Sequence, residues 1–456
     1  MTSPGAGSIP ELRRPIDIGS LIDSQPLSTF QIRTFLLIGA LVLMDGFDVQ
    51  AIGFVAPALQ RAWQLPISAL GPIFASGLVG MLLGSTSLGL LADRIGRRPV
   101  LIGSTILFAL ATLGTASAQS ATQMMLFRFL TGFGIGSVMG SAVTLASEYC
   151  PSTRRASLLL AISCGFTAGA ILGGLVSGLL IPRLGWPSVF VVGGVLPLAI
   201  AIALIRDLPE SLQLLLLKDS NRDKALHWLA RLGLNVPMTN VISWVSPMSP
   251  ARGSVAELFR NRRAGLTLLL WIASFANLLN LYFLANWLPL LATRMGLSDA
   301  SGVAVGVSLQ LGGIFGALLL GPLIDRRGFY RVMAPVFVIG AMLIAVLGRP
   351  ELPVAGLFAC VWTVGICIVG GQPAINALAA SLYPTSLRAT GVGWCLGIGR
   401  AGSILGPLCA AQFISRHWTN QQLFLAAAVP AAMAACVMIA MKGMAGRDAA
   451  NAIARA

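Results

Sequence analysis

Asp45 and Asp48 are the residues whose type and setting speak most directly of chemistry. They lie in Leu43-Met-Asp45-Gly46-Phe47-Asp48-Val49-Gln50, inside an apolar run that opens after Arg33 and closes near Leu59. Such a run is long enough to cross the roughly 30 Å hydrocarbon layer as a helix. Each charge left in lipid costs about 2.5–3.5 kcal/mol even on a lenient insertion scale. The two carboxylates are three residues apart and share one helix face. At about 1.5 Å per residue, Asp45 stands about 18 Å beyond Arg33, near the bilayer middle. Carboxylates at that depth line water-filled paths and carry protons, ions or substrate contacts. The blander alternative is a polar pair that only ties helices together.

The composition supports that setting. The 456 residues are 56% hydrophobic and 10% charged, against about 25% charged for soluble domains, with a mean hydropathy of +0.83. This is the composition of a polytopic membrane protein. The net charge of +15 invites a nucleic-acid reading, but the cations cluster in short loops between apolar runs, which is positive-inside topology. No nucleic-acid partner is expected. Six of the seven cysteines fall in or beside apolar runs and none forms a CxxC pair. His227 and His417 lie outside the runs, so no histidine-based metal site is expected and no cofactor is implied.

The elements that must position the acids are twelve apolar runs near 33–59, 69–91, 99–118, 122–147, 157–181, 187–206, 265–291, 301–323, 331–348, 353–378, 388–414 and 420–441. Residues 1–32 and 442–456 read as tails and 207–263 as a linker, which divides the chain into six-helix halves at 33–206 and 264–441. Within the linker, Asn221 to Leu232 is amphipathic. The Arg-rich loops around Arg94, Arg97, Arg98, Arg154, Arg326 and Arg388 fall on one side, while Arg61, Arg183, Arg294, Arg349 and Arg416 stand singly on the other. The first side should be cytoplasmic, with both termini inside. The first run would then act as an uncleaved signal.

An internal repeat supports the division. Leu91-Ala-Asp93-Arg94 recurs as Leu323-Ile-Asp325-Arg326 (325 − 93 = 232), and Ile171-Leu-Gly-Gly174 as Ile404-Leu-Gly-Pro407 (404 − 171 = 233). The same offset carries Asp45 and Asp48 onto Asn277 and Asn280. The seventh run should therefore face the first with two amides opposite two acids, ionisation being concentrated in the N-terminal half.

Gly89-Leu-Leu-Ala-Asp93-Arg94-Ile-Gly96-Arg97-Arg98 resembles the hallmark loop of the major facilitator superfamily, with a weaker echo at Gly321 to Gly328. The resemblance spans the whole chain and implies an all-α membrane fold of twelve helices in two pseudo-symmetric halves. Asp93, Arg94, Arg97, Arg98, Glu148, Asp325, Arg326 and Arg388 are then expected to form a conformational latch, a charge cluster able to hold the halves in one orientation.

Within the superfamily, Asp45-Gly-Phe-Asp48 through Ala56-Pro57-Ala58-Leu59 is similar to the aromatic acid:proton symporters. So are Arg128-Phe-Leu-Thr-Gly132-Phe-Gly134-Ile-Gly136, Ser147-Glu148-Tyr-Cys-Pro151 and Gly397-Ile-Gly399-Arg400. Pro209-Glu-Ser211 also occurs in sugar carriers and discriminates little. The resemblance implies a carrier, not an enzyme, taking up an aromatic carboxylate such as 4-hydroxybenzoate together with protons across the bacterial inner membrane as a monomer. A carrier of another organic acid or a sugar-like solute, or an exporter, is the alternative.

Arg400 lies about 18 Å into the eleventh run and Arg128 about two turns into the fourth. Arg400, flanked by Gly397, Gly399 and Gly402, is expected to receive the substrate carboxylate in bidentate fashion. Arg128 is expected to pair with Asp45 or Asp48 and tune proton binding, a permanent internal pair being the alternative. Tyr282 and Trp394 are the expected ring contacts among several aromatics in the runs. Asn277, Asn280 and Gln372 are the amides expected at the substrate, although interhelical hydrogen bonding explains such residues equally well.

Overall fold

The computed structural model describes residues 16–216, 222–234, 242–243, 255–260, 263–349 and 351–453. Residues 1–15 of the expected tail, 454–456 at the other end and much of the linker, Asn221 included, lie outside the described residues.

Among the described residues, twelve helices are long and apolar enough to cross a membrane, so the protein is a multi-pass membrane protein. In the N-terminal half they are α1 (Thr29–Ala62), α2 (Leu70–Ile95), α3 (Arg97–Ala116), α4 (Ala121–Gly136 and Val138–Tyr149), α5 (Ser152–Leu184) and α6 (Pro187–Asp207). The C-terminal half holds α7 (Ala264–Arg294), α8 (Asp299–Arg327) and α9 (Phe329–Leu347). It continues with α10 (Val354–Val364, then Gly365–Val369 and Gly371–Leu382), α11 (Thr385–Ser415) and α12 (Asn420–Ile453). Large apolar side chains such as Leu36, Leu318 and Val429 stand on the outside of the bundle, as helices bathed in lipid require.

Local sequence sets where the helices begin and end. Ser28 and Gln31 form a reciprocal capping box at α1. Ser120 and Ser298 accept backbone N–H bonds at the starts of α4 and α8. The turns from α2 to α3 and from α8 to α9 are made by Gly96 and Gly328, whose positive φ values of 116° and 81° suit glycine alone.

The duplication is visible throughout. α3 begins at Arg97 and α9 at Phe329 (329 − 97 = 232), and α2 ends at Ile95 and α8 at Arg327 (327 − 95 = 232). Both fourth helices are also interrupted at matched places. α4 breaks at Ser137, while α10 carries a π-helical turn over Gly365–Val369 (369 − 137 = 232). There the Gly370 N–H donates to the Gly365 carbonyl at 3.0 Å. Such turns free a backbone carbonyl for other partners.

The two halves meet from the midplane to the end opposite the Arg-rich loops. Gly53 of α1 lies against the Ala285 carbonyl and Asn286 of α7, and Gly71 of α2 against Ala411 of α11. Gly174 of α5 takes Val307 of α8, and Phe54 packs with Val303 and Val307. Phe74 meets Trp287 edge-on at 5.2 Å, and Arg61 of α1 pairs with Asp299 of α8. Toward the basic end, Gly140 on α4 and Gly393 and Gly397 on α11 meet nothing within 4 Å. The contacts named between the halves thus run from the midplane to the end opposite the basic loops.

Candidate functional site

Gly46 explains how α1 presents its acids. The Phe166 backbone of α5 occupies the place a Cβ there would need, and Gly169 of α5 likewise takes the Leu43 carbonyl. This close contact of α1 with α5 leaves the other face of α1 for Asp45 and Asp48.

Asp48 is fully buried and ion-paired, its hydrogen bonds falling on Oδ1 while Oδ2 makes only the charge contact. Arg128 Nη1 lies 2.9 Å from Asp48 Oδ2 and donates to Oδ1 at 3.1 Å, while Nη2 donates to the Asp48 carbonyl at 3.3 Å. The Thr112 hydroxyl of α3 donates to Oδ1 at 3.0 Å, and the guanidinium lies over the Phe190 ring of α6. Of the two pairings open to Arg128, the structure makes the one with Asp48. Four helices of one half thus close around a buried, charge-assisted ion pair.

Asp45 differs. It is 2% exposed, its Oδ1 has no hydrogen-bond partner, and it lies within electrostatic reach of Arg400 and Asp48. Arg400 belongs to α11 in the other half. It is partly exposed, and its Nη1 rests on the Met81 sulfur of α2, a weak acceptor. Tyr282 of α7 lies within reach of both Asp45 and Arg400. Acid, guanidinium and phenol from three helices therefore converge at the seam between the halves.

The amides form a second group. Asn277 Nδ2 donates to the Ile368 carbonyl in the π turn at 3.1 Å and to Gln372 Oε1 at 2.8 Å, and Gln372 Nε2 donates to Asn376 Oδ1 at 3.1 Å. Asn277 Oδ1 and both amide atoms of Asn280 are buried without partners, although both residues are at most 1% exposed. Buried polar atoms of this kind call for water or a ligand.

The chain's relatives fit this arrangement. The sequence profile of the Major Facilitator Superfamily matches residues 38–407 and 311–443. The chain belongs to that superfamily. It is 36% identical to the 4-hydroxybenzoate transporter PcaK of Pseudomonas aeruginosa over 97% of this chain and 98% of that protein. It is also 36% identical to a gallate transporter of Pseudomonas putida, covering 94% and 96%. A benzoate transport protein of Acinetobacter baylyi is 30% identical, with 92% of each covered. These relatives are named as transporters, not enzymes. Among solved structures, a D-xylose–proton symporter superposes with a TM-score of 0.72 at 16% identity, over 90% of this chain and 97% of that one. A bacterial homologue of the lysosomal transporter Spinster gives 0.69 at 17%, over 91% and 98%. At these identities the structures speak for the superfamily fold alone.

Other expected positions fall differently. Trp394 is 43% exposed and stacks on Trp271 at 5.8 Å, six residues and so about a third of a turn away from the Arg400 face. It is a surface aromatic and not part of the cluster. Of the glycines beside Arg400, Gly399 and Gly402 seat α11 on Ser274 and Phe275 of α7, and only Gly397 faces open space. Asp93, Arg94, Asp325, Arg326 and Arg388 are exposed, so the expected cluster around Asp93 is not formed in this conformation.

What is formed in its place centres on two glutamates. Arg97 pairs with Glu148, which accepts from the Ser211 hydroxyl at 2.8 Å. Glu210 Oε1 accepts the Arg97 and Arg98 backbone N–H groups at 2.9 and 3.2 Å, capping α3 where charge favours an anion. Gly96 leaves room for that carboxylate. These bonds join α3, α4 and the linker within the N-terminal half. Glu210 and Ser211 belong to the Pro-Glu-Ser element, which discriminates little between aromatic-acid and sugar carriers. Met81 and Thr112 carry no signal in the sequence, since either could be ordinary helix packing.

Proposed function

We propose that this superfamily member takes up an aromatic carboxylate with protons by alternating access, in the bacterial inner membrane, with both termini cytoplasmic. The observation that carries the proposal is Asp45. It is an acid buried with a bare oxygen, across the seam from an Arg400 whose Nη1 rests on a thioether. An unpartnered buried carboxylate is relieved by taking a proton or by a neighbouring cation. A guanidinium resting on sulfur is free to exchange it for a substrate carboxylate, which it can bind bidentately.

In this reading Asp45 carries the proton and Arg400 the substrate. Asp48 and Arg128 form a standing pair that fixes α1 against α4 and biases Asp45. Tyr282 packs on the ring, and Asn277, Asn280 and Gln372 offer hydrogen bonds to ring hydroxyls. Protonation and substrate together neutralise the seam, after which the halves rock about it. Asp93, Arg94, Asp325, Arg326 and Arg388 would engage when the basic end closes. The names of the relatives, carriers of 4-hydroxybenzoate, gallate and benzoate, support the substrate class. The working unit in this reading is a monomer.

The test is uptake of labelled 4-hydroxybenzoate into proteoliposomes under an inward proton gradient, with unlabelled benzoate, gallate and glucose as competitors. Accumulation that collapses with a protonophore and is competed by aromatic acids is expected. Uptake indifferent to the gradient would end the coupling claim. Competition by glucose alone would end the substrate claim.

A further inference from the structure

A groove of about 910 Å³ lies at the basic end, away from the seam. Its walls are the start of α3 (Arg98, Pro99, Ile102, Gly103), the end of α6 (Ile205) and the linker (Glu210, Asp223, Lys224, His227, Trp228). The linker helix Arg222–Arg231 is held there by Trp228, which stacks on Phe30 of α1 at 6.0 Å. Arg98 lies over the same indole.

The groove is polarised along the membrane normal. Ile102, Gly103 and Ile205 are side by side on the lipid-facing flank, with Ile205 49% exposed and nothing within 4 Å of Gly103. The deepest of them, Gly103, stands five residues and so about 8 Å beyond Arg98. Above them sit Arg98, Lys224 and His227. Two acids also line the groove: Glu210, whose Oε1 accepts from the backbone N–H groups of Arg97, Arg98 and Ser211, and Asp223, exposed at the rim. Arg98 donates through Nη2 to the Ile205 carbonyl at 2.6 Å, while its buried Nε has no partner. Basic pockets between helices at this level bind the head groups of anionic lipids, and an indole at the same depth suits the interface.

We propose that this groove holds one anionic phospholipid of the inner leaflet. Its acyl chain lies along Ile102, Gly103 and Ile205, and its phosphate is met by Arg98, Lys224 and His227. The lipid would tie the linker helix to α3 and α6. None of these residues belongs to the seam cluster, so the inference stands apart from the transport reading.

The experiment is native mass spectrometry of the full chain, delipidated and then titrated with phosphatidylglycerol or phosphatidylcholine. One phosphatidylglycerol should outlast the others under collisional activation, and phosphatidylcholine should not. Lys224→Ala should weaken that retention about fivefold, the worth of one cation near a lipid surface. Lys442→Ala, which removes a cation from exposed α12 surface, should leave it unchanged. Equal retention of both lipids, an equal effect of the two substitutions, or displacement by soluble glycerol phosphate would each overturn the proposal. As a second readout, phosphatidylglycerol brominated on its acyl chains should quench the wild-type fluorescence more than that of Trp228→Phe. Equal quenching would also overturn it.

Discussion

Asp45 and Asp48 of α1 and Asn277 and Asn280 of α7 occupy equivalent places in the duplicated halves, 232 residues apart, and their surroundings have diverged. In the N-terminal half one acid is ion-paired with Arg128 and bonded by Thr112, and the other lies at the seam with its Oδ1 unbonded. In the C-terminal half one amide is tied into the π turn and a chain of amides, and the other is buried with nothing to bond. An amide cannot change its charge, whereas a carboxylate can. On the proposed reading, duplication supplied the scaffold and the later split supplied the labour. One half carries a variable charge and the other offers fixed hydrogen-bond geometry.

The comparison breaks most visibly at Asp45. Asp45→Asn makes the N-terminal half resemble its twin, and proton-driven accumulation should vanish while substrate counterflow between equal pools persists. Retention of both activities would place the proton elsewhere. Next in size is Arg400→Ala, which removes the cation across the seam. Apparent affinity for 4-hydroxybenzoate in counterflow should fall at least about thirtyfold, as losing one member of a desolvated charge pair costs about 2 kcal/mol or more. An unchanged affinity would strike Arg400 from the site.

Arg128→Gln tests the locked pair as structure. It strands Asp48, which is 0% exposed, and breaking such a pair costs about 3–5 kcal/mol. The melting temperature in detergent should fall sharply. Adding Asp48→Asn should restore much of it, since the double variant copies the neutral arrangement of the other half. A double variant no more stable than the single one would mean the pair does more than satisfy itself.

The sequence carried the scaffold because its causes are local. Hydropathy marks the twelve helices, Ser28-x-x-Gln31 marks a start, and Gly96 and Gly328 mark the turns. The repeat made Asp45 and Asn277 comparable before any helix was placed. The site was only partly legible, because it depends on how helices rotate against one another. Arg128 had two possible acids, and only the way α4 sets against α1 pairs it with Asp48. Trp394 is close to Arg400 along the chain but sits about a third of a turn around α11 from it, stacked on Trp271. Met81 became the partner of Arg400 only because α2 crosses α11 at the midplane, which no spacing in the sequence encodes. Glu210 caps α3 from more than a hundred residues away (210 − 97 = 113), beyond any local rule.

The smallest effects should come from the amide side, and they would sharpen the comparison. Asn277→Ala removes one donor from a chain that includes Gln372, and replaces no charge. Its Oδ1 is among the atoms left bare, so the side chain has capacity for one further bond. If that bond is to a ring hydroxyl, its loss should cost 4-hydroxybenzoate about 0.5–1.5 kcal/mol relative to benzoate, or about two- to tenfold in the ratio of their inhibition constants. Gradient dependence should be untouched, because the proton is assigned to the other half. Competition assays with the two acids, run on the same vesicles with and without a protonophore, separate these outcomes. A changed ratio with intact coupling supports the division of labour, whereas a loss of coupling would show that the two halves share the proton after all.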